Sequence, residues 1–109
     1  MRKKIPHHIR NYIKQELYNY ENNKKLLKEL QDGKSKTTSR TILIVTKKIQ
    51  NIDNALNKIA KEDKEVVKNI FFKGHSQVYA QMHDNISKDM YYDVMNKMIY
   101  LTAIEYDEL

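Results

Sequence analysis

The sequence predicts an all-α protein: an N-terminal antiparallel helical hairpin followed by a three-helix helix-turn-helix unit. Three observations carry this. Apolar residues recur at three- and four-residue steps along most of the 109 residues. Helix breakers are rare, with two glycines and one proline. Residues that cap or end helices stand between the periodic stretches, at Asp32-Gly33, Gly74, Ser76, Asp84-Asn85 and Ser87.

The first helix is expected from about Pro6 to Gln31. Proline suits a first turn, and Ile9, Tyr12, Ile13, Leu17, Tyr20, Leu27 and Leu30 form one apolar face that Lys24 interrupts. Asp32-Gly33-Lys34-Ser35 reads as a loop. A second helix is expected from about Thr37 to Ala60, with Ser35, Thr37 and Thr38 offering capping oxygens. Its Ile42, Val45, Ile49, Ile52, Leu56 and Ile59 make a regular heptad seam. Two helices of similar length joined by a short loop form a hairpin most simply. The seam also suits a coiled-coil homodimer, and the two readings are compatible.

The third helix should start near Glu62 or Asp63, where acidic groups favour the helix dipole, and end at Gly74. A short fourth helix should follow from Ser76 to His83, with Ser76 as N-cap, and then a turn at Asp84-Asn85. The fifth should run from Lys88 to Glu105 behind a Ser87 cap. Tyr91, Val94, Met95, Met98, Leu101 and Ile104 are its expected buried stripe. Two segments result, a basic helical hairpin over 1–60 and a helix-turn-helix domain over 61–109.

Composition narrows the function. Cysteine is absent, which excludes disulfides, Cys-ligated zinc, iron–sulfur clusters and a thiol nucleophile. No phosphate-cradling glycine loop, G-x-S-x-G or histidine pair at HExxH-like spacing occurs. His7-His8 reads as an exposed pair, and His83 as part of the turn. No catalytic residue, metal site or cofactor is therefore expected. No apolar run reaches membrane-spanning length, and Met1-Arg2-Lys3-Lys4 is followed by Ile5-Pro6-His7-His8 where a signal peptide would place its apolar core. A cytoplasmic location is expected. The net charge is +6, with 13 Lys/Arg against 4 Asp/Glu in residues 1–50 and 7 against 10 in residues 51–109. The basic half suits a polyanionic partner or, equally, a solvated Lys-rich surface.

Residues 62–101 add a resemblance. Phe71-Phe72-Lys73-Gly74, then Ser76, Ile86-Ser87-Lys88 and Tyr91-Tyr92, stand in the order and spacing of the promoter-reading C-terminal domain of bacterial sigma factors. They resemble more closely the phage late-gene transcription regulators of the RinA/ArpU type. The chain departs from that family at Gln81, Asn85 and Met90, and Asp89 and Asp93 sit on its recognition helix. The resemblance implies a sequence-specific DNA-binding regulator in a bacterial host, acting on double-stranded DNA with host RNA polymerase. It places Ser76, Gln77, Ser87, Lys88, Asp89, Tyr91, Tyr92, Asn96 and Lys97 nearest the DNA, with Tyr91 either facing the groove or packed inward. Lys34, Lys36, Arg40, Lys47 and Lys48 would add phosphate or partner contacts. The rival expectation is a helical protein-interaction module that docks through the seam and never touches DNA.

Overall fold

The computed structural model describes residues 4–33 and 39–108. Among these are six α-helices and no strand: α1 His7–Tyr18, α2 Tyr20–Gln31, α3 Ser39–Asn57, α4 Lys61–Val67, α5 Gln77–His83 and α6 Lys88–Glu105. A π-helical segment, Lys68–Phe72, continues α4. The expected caps at Ser35, Thr37 and Thr38 lie outside the described residues.

The expected first helix is divided in two. Asn19 separates the two halves, its φ of −87° and ψ of −3° still in the right-handed region. Its N–H still donates to the Gln15 carbonyl (3.0 Å), and Asn23 N–H to the Asn19 carbonyl (2.8 Å), so the chain bends without losing its ladder. The bend gives each half a different partner: α1 packs on α6 and the π segment, and α2 packs on α3. Tyr20, the first residue of α2, donates a hydrogen bond to Asp53 late in α3 (2.5 Å). The two helices therefore run antiparallel. The heptad seam of α3 is used inside the chain. Val45 and Ile52 are buried, Ile49 and Leu56 pack against the core, and Ile59, just beyond the end of α3, is buried as well.

The helix expected to start at Glu62 or Asp63 starts at Lys61, with both acids in its first turn. Beyond Val67 it widens. Lys73 N–H donates to the Lys68 carbonyl five residues back (2.9 Å). Gly74 then takes a left-handed φ of +72°, as its position predicts.

The centre of the molecule is α6, which packs against α1, α3, α4 and α5. The forward half of its stripe is as expected, with Tyr91, Val94, Met95 and Met98 buried. The rear half differs: Ile99, Thr102 and Ala103 are buried, while Ile104 is exposed. An amphipathic stripe describes a helix covered on one side, and here neighbours close round the C-terminal half from several sides. Small residues at 102 and 103 permit that approach, and the Thr102 hydroxyl donates to the Met98 carbonyl one turn back (2.8 Å). One apolar cluster joins residues from both segments, with Ile13, Leu17 and Ile52 meeting Phe71, Met98 and Ile99.

Candidate nucleic-acid interface

Helices α5 and α6 are started and separated by local chemistry. The Ser76 hydroxyl accepts the Tyr79 N–H and the Ser87 hydroxyl accepts the Met90 N–H, both at 3.1 Å. Each satisfies one of the donors a helix N-terminus leaves unpaired. Between them Asn85 turns the chain with φ +57°. A second brace holds the turn: His75 Nδ1 lies 2.8 Å from Asp84 Oδ2. The His75, Tyr79 and His83 rings follow one another at 4.3 Å centroid spacings. The sequence shows no histidine partner at metal-binding spacing, and Asp84 is instead a partner brought close by the fold. Among the described residues no cluster suited to a metal ion occurs.

This frame presents the first three turns of α6. Lys88, Asp89, Tyr92, Asp93 and Asn96 are exposed at one- and three-residue steps, which places them on one side. Ser87 is exposed at the tip, so the first backbone N–H groups of α6 lie near solvent. Tyr92 is 42% exposed and its ring meets that of Tyr91 edge-on at 5.3 Å.

The structure removes one expected contact residue. Tyr91 is only 5% exposed, and its hydroxyl donates to the His75 carbonyl (3.1 Å), tying α6 to the chain before α5. Burial raises its pKa, so the hydroxyl stays a donor. Lys97 is half-buried and 3.5 Å from Asp63 Oδ2, which holds α6 to α4. Ser76 is exposed and spent as a cap, and Gln77 is half-buried and donates to the Gln81 side chain.

The α3 cations stand elsewhere. Lys48 is paired with buried Glu16 of α1 (3.0 Å). Lys47 and Lys48 border a groove that also contains Tyr12, Leu43 and Ile44, and Arg40 is exposed near the start of α3. Lys34 and Lys36 lie outside the described residues.

Arg10 carries no functional signal in the sequence. Its guanidinium donates to Asn96 Oδ1 (2.5 Å) across 86 positions of sequence. Arg10 sits on the same helix as the buried Ile13 and Leu17, but only the packing of α1 on α6 shows which surface it reaches. With it, the presented side of α6 carries two cations, Lys88 and Arg10, and two anions, Asp89 and Asp93. Compared with known protein families, characterised proteins and solved structures, the chain has no significant match. Among the described residues no helix is long and apolar enough to cross a membrane.

Proposed function

We propose that the protein is a sequence-specific DNA-binding transcription regulator, of the RinA/ArpU kind that its C-terminal residues resemble. It would work in the cytoplasm of a bacterial host with RNA polymerase as partner. One observation carries this reading: a braced, Ser-capped helix-turn-helix whose second helix buries one side and offers Lys88, Tyr92 and Asn96 on the other. A major groove admits one helix and is read by the first turns of that helix. Ser87 and the adjacent N–H groups suit a phosphate, Asn96 has the amide that pairs with an adenine edge, and Arg10 supplies a cation beside it. The two aspartates lower nonspecific attraction, so discrimination rests on fixed geometry.

Selection of bound duplexes from a random pool, followed by a salt titration on the winner, tests this reading. A regulator should enrich one motif, and its affinity should fall steeply between low and moderate salt. No enrichment together with salt-insensitive behaviour would remove it.

A specific observation favours protein contact as a second reading. Leu43 is 68% and Ile44 48% exposed beside Tyr12. The seam first expected to dock is buried within the chain, so a homodimer or a host protein would use this other edge of α3. Such binding should vary little with salt.

A further inference from the structure

An open cleft of about 700 Å³ lies between α2 and the π segment, with four lysines around it: Lys24 and Lys25 from α2, Lys68 from the start of the π segment and Lys73 just after its end. Among the described residues Glu21 is its one acidic lining residue. Three lysines elsewhere are ion-paired, Lys48 with Glu16, Lys58 with Glu105 and Lys97 with Asp63. Among the described residues none of the four cleft lysines has an ion-pair partner.

The floor is aromatic. Tyr20 and Phe72 stack at 4.4 Å between centroids with their planes 22° apart, and the Lys24 ammonium sits 5.1 Å from the Tyr20 ring centre. The Tyr20 hydroxyl donates to Asp53, and burial, with that bond, pushes its pKa well above the ordinary tyrosine range. The ring therefore brings no negative charge to the cleft. Cations of one sign above a low-dielectric floor concentrate the field, so the cleft attracts anions more strongly than the same lysines on a convex surface.

The π segment is what assembles this rim. In an α-helix, residues five apart point about 140° away from each other. The wider turn, closed by the bond from Lys73 N–H to the Lys68 carbonyl, brings both onto the cleft with Phe72 between them. Single π turns recur at functional sites.

We infer that this cleft is a second DNA contact, which holds backbone phosphates without regard to base sequence. The ligand class rests on the DNA-binding reading, but the contact does not involve α6. Lysine is a point charge with rotatable donors, suited to a string of phosphates. The net positive cleft complements a near-neutral reading helix. One surface supplies attraction and the other discrimination.

The test is fluorescence anisotropy with a labelled random-sequence duplex from 50 to 200 mM salt. Three full-chain proteins are compared: the parent, the cleft double variant Lys24→Gln/Lys68→Gln, and the control Lys28→Gln/Lys61→Gln. All four lysines are exposed, and the two variants lose the same charge. The cleft variant should flatten the slope of log affinity against log salt by nearly two units, at ~0.9 per phosphate. The loss of affinity across that salt range should shrink about tenfold relative to the parent. The control should change the slope by less than half as much. Equal shifts in the two variants would overturn the inference, because charge alone would then suffice. Absence of duplex binding by the parent at low salt, or displacement of DNA by poly-glutamate as effectively as by unlabelled duplex, would also overturn it. Lys88→Ala and Asn96→Ala, measured on a duplex from the selected pool, separate this inference from the reading of α6. If they leave binding unchanged while the cleft variant flattens the slope, the cleft stands and the reading helix does not. If they alter binding while the cleft variant behaves as parent, the reading helix stands and the cleft does not.

Discussion

The presented side of α6 and the lysine cleft are built by opposite means. The first is a single helix, capped by Ser87 and braced at Tyr91 and Lys97, whose Asp89 and Asp93 are offset by its own Lys88 and by Arg10 of α1. The second gathers like charges from α2 and the π segment around a stacked pair of rings. Fixed geometry with little net charge discriminates between ligands. Concentrated charge on flexible stems attracts without discriminating. On the proposed reading the two tasks fall to separate residues.

The largest expected effect breaks both regions together. Met98 is 0% exposed in the middle of α6. Met98→Asp would bury a charge with no partner and should cost more than about 4 kcal/mol. Loss of the helical circular-dichroism signal at room temperature checks it. A variant that keeps its Tm would show that α6 is not the common support of the two regions.

Tyr20→Phe acts on the cleft floor alone. It keeps the stacked ring but takes the donor from Asp53, and should cost about 1.5–3 kcal/mol in denaturant unfolding. The comparison residue is Tyr106, whose buried hydroxyl has no hydrogen-bond partner among the described residues. Tyr106→Phe should be neutral or slightly stabilising. The two tyrosines also set an alkaline limit. Burial raises both pKa values above that of an unfolded tyrosine. Their contribution is therefore full below a pH of about 10 and is lost as pH rises through the folded values. Denaturant midpoints should fall above that pH, and less in the Tyr20→Phe variant.

Asn96→Ala sharpens the comparison from the other side. It should cost about 1–3 kcal/mol at one base position of a selected site and little on random sequence. The cleft variants should do the reverse. Ser87→Ala removes the cap and should cost about 1 kcal/mol of stability, with a loss of affinity for all sequences. The smallest change is expected of Asp93→Asn, which removes one repulsive charge from α6 and should tighten random-duplex binding a few-fold at low salt.

The caps and turns of the C-terminal half were legible because their causes are local. Serine before an apolar-periodic stretch, asparagine between two helices and glycine after one act through their immediate neighbours, and α6 begins and ends where those signals put it. The bend at Asn19 was not legible. Nothing in the apolar stripe of residues 9–30 says that its halves cover different helices. The π turn at Lys68–Phe72 has no sequence signature of its own, and so the cleft lysines read as scattered surface charges. Tyr91 was ambiguous for a related reason: on an isolated helix a ring at that position suits either a groove or a core.

By itself the sequence determined the all-helical class, the order of the helices, their caps and their left-handed turns, since each depends on propensity and hydrogen bonds within a few residues. Only the tertiary structure decided which side of α6 stays open, that Arg10 reaches Asn96 and that four lysines surround one cleft. Those outcomes depend on which apolar faces pack together across tens of residues, and that choice is made by the fit of the whole core.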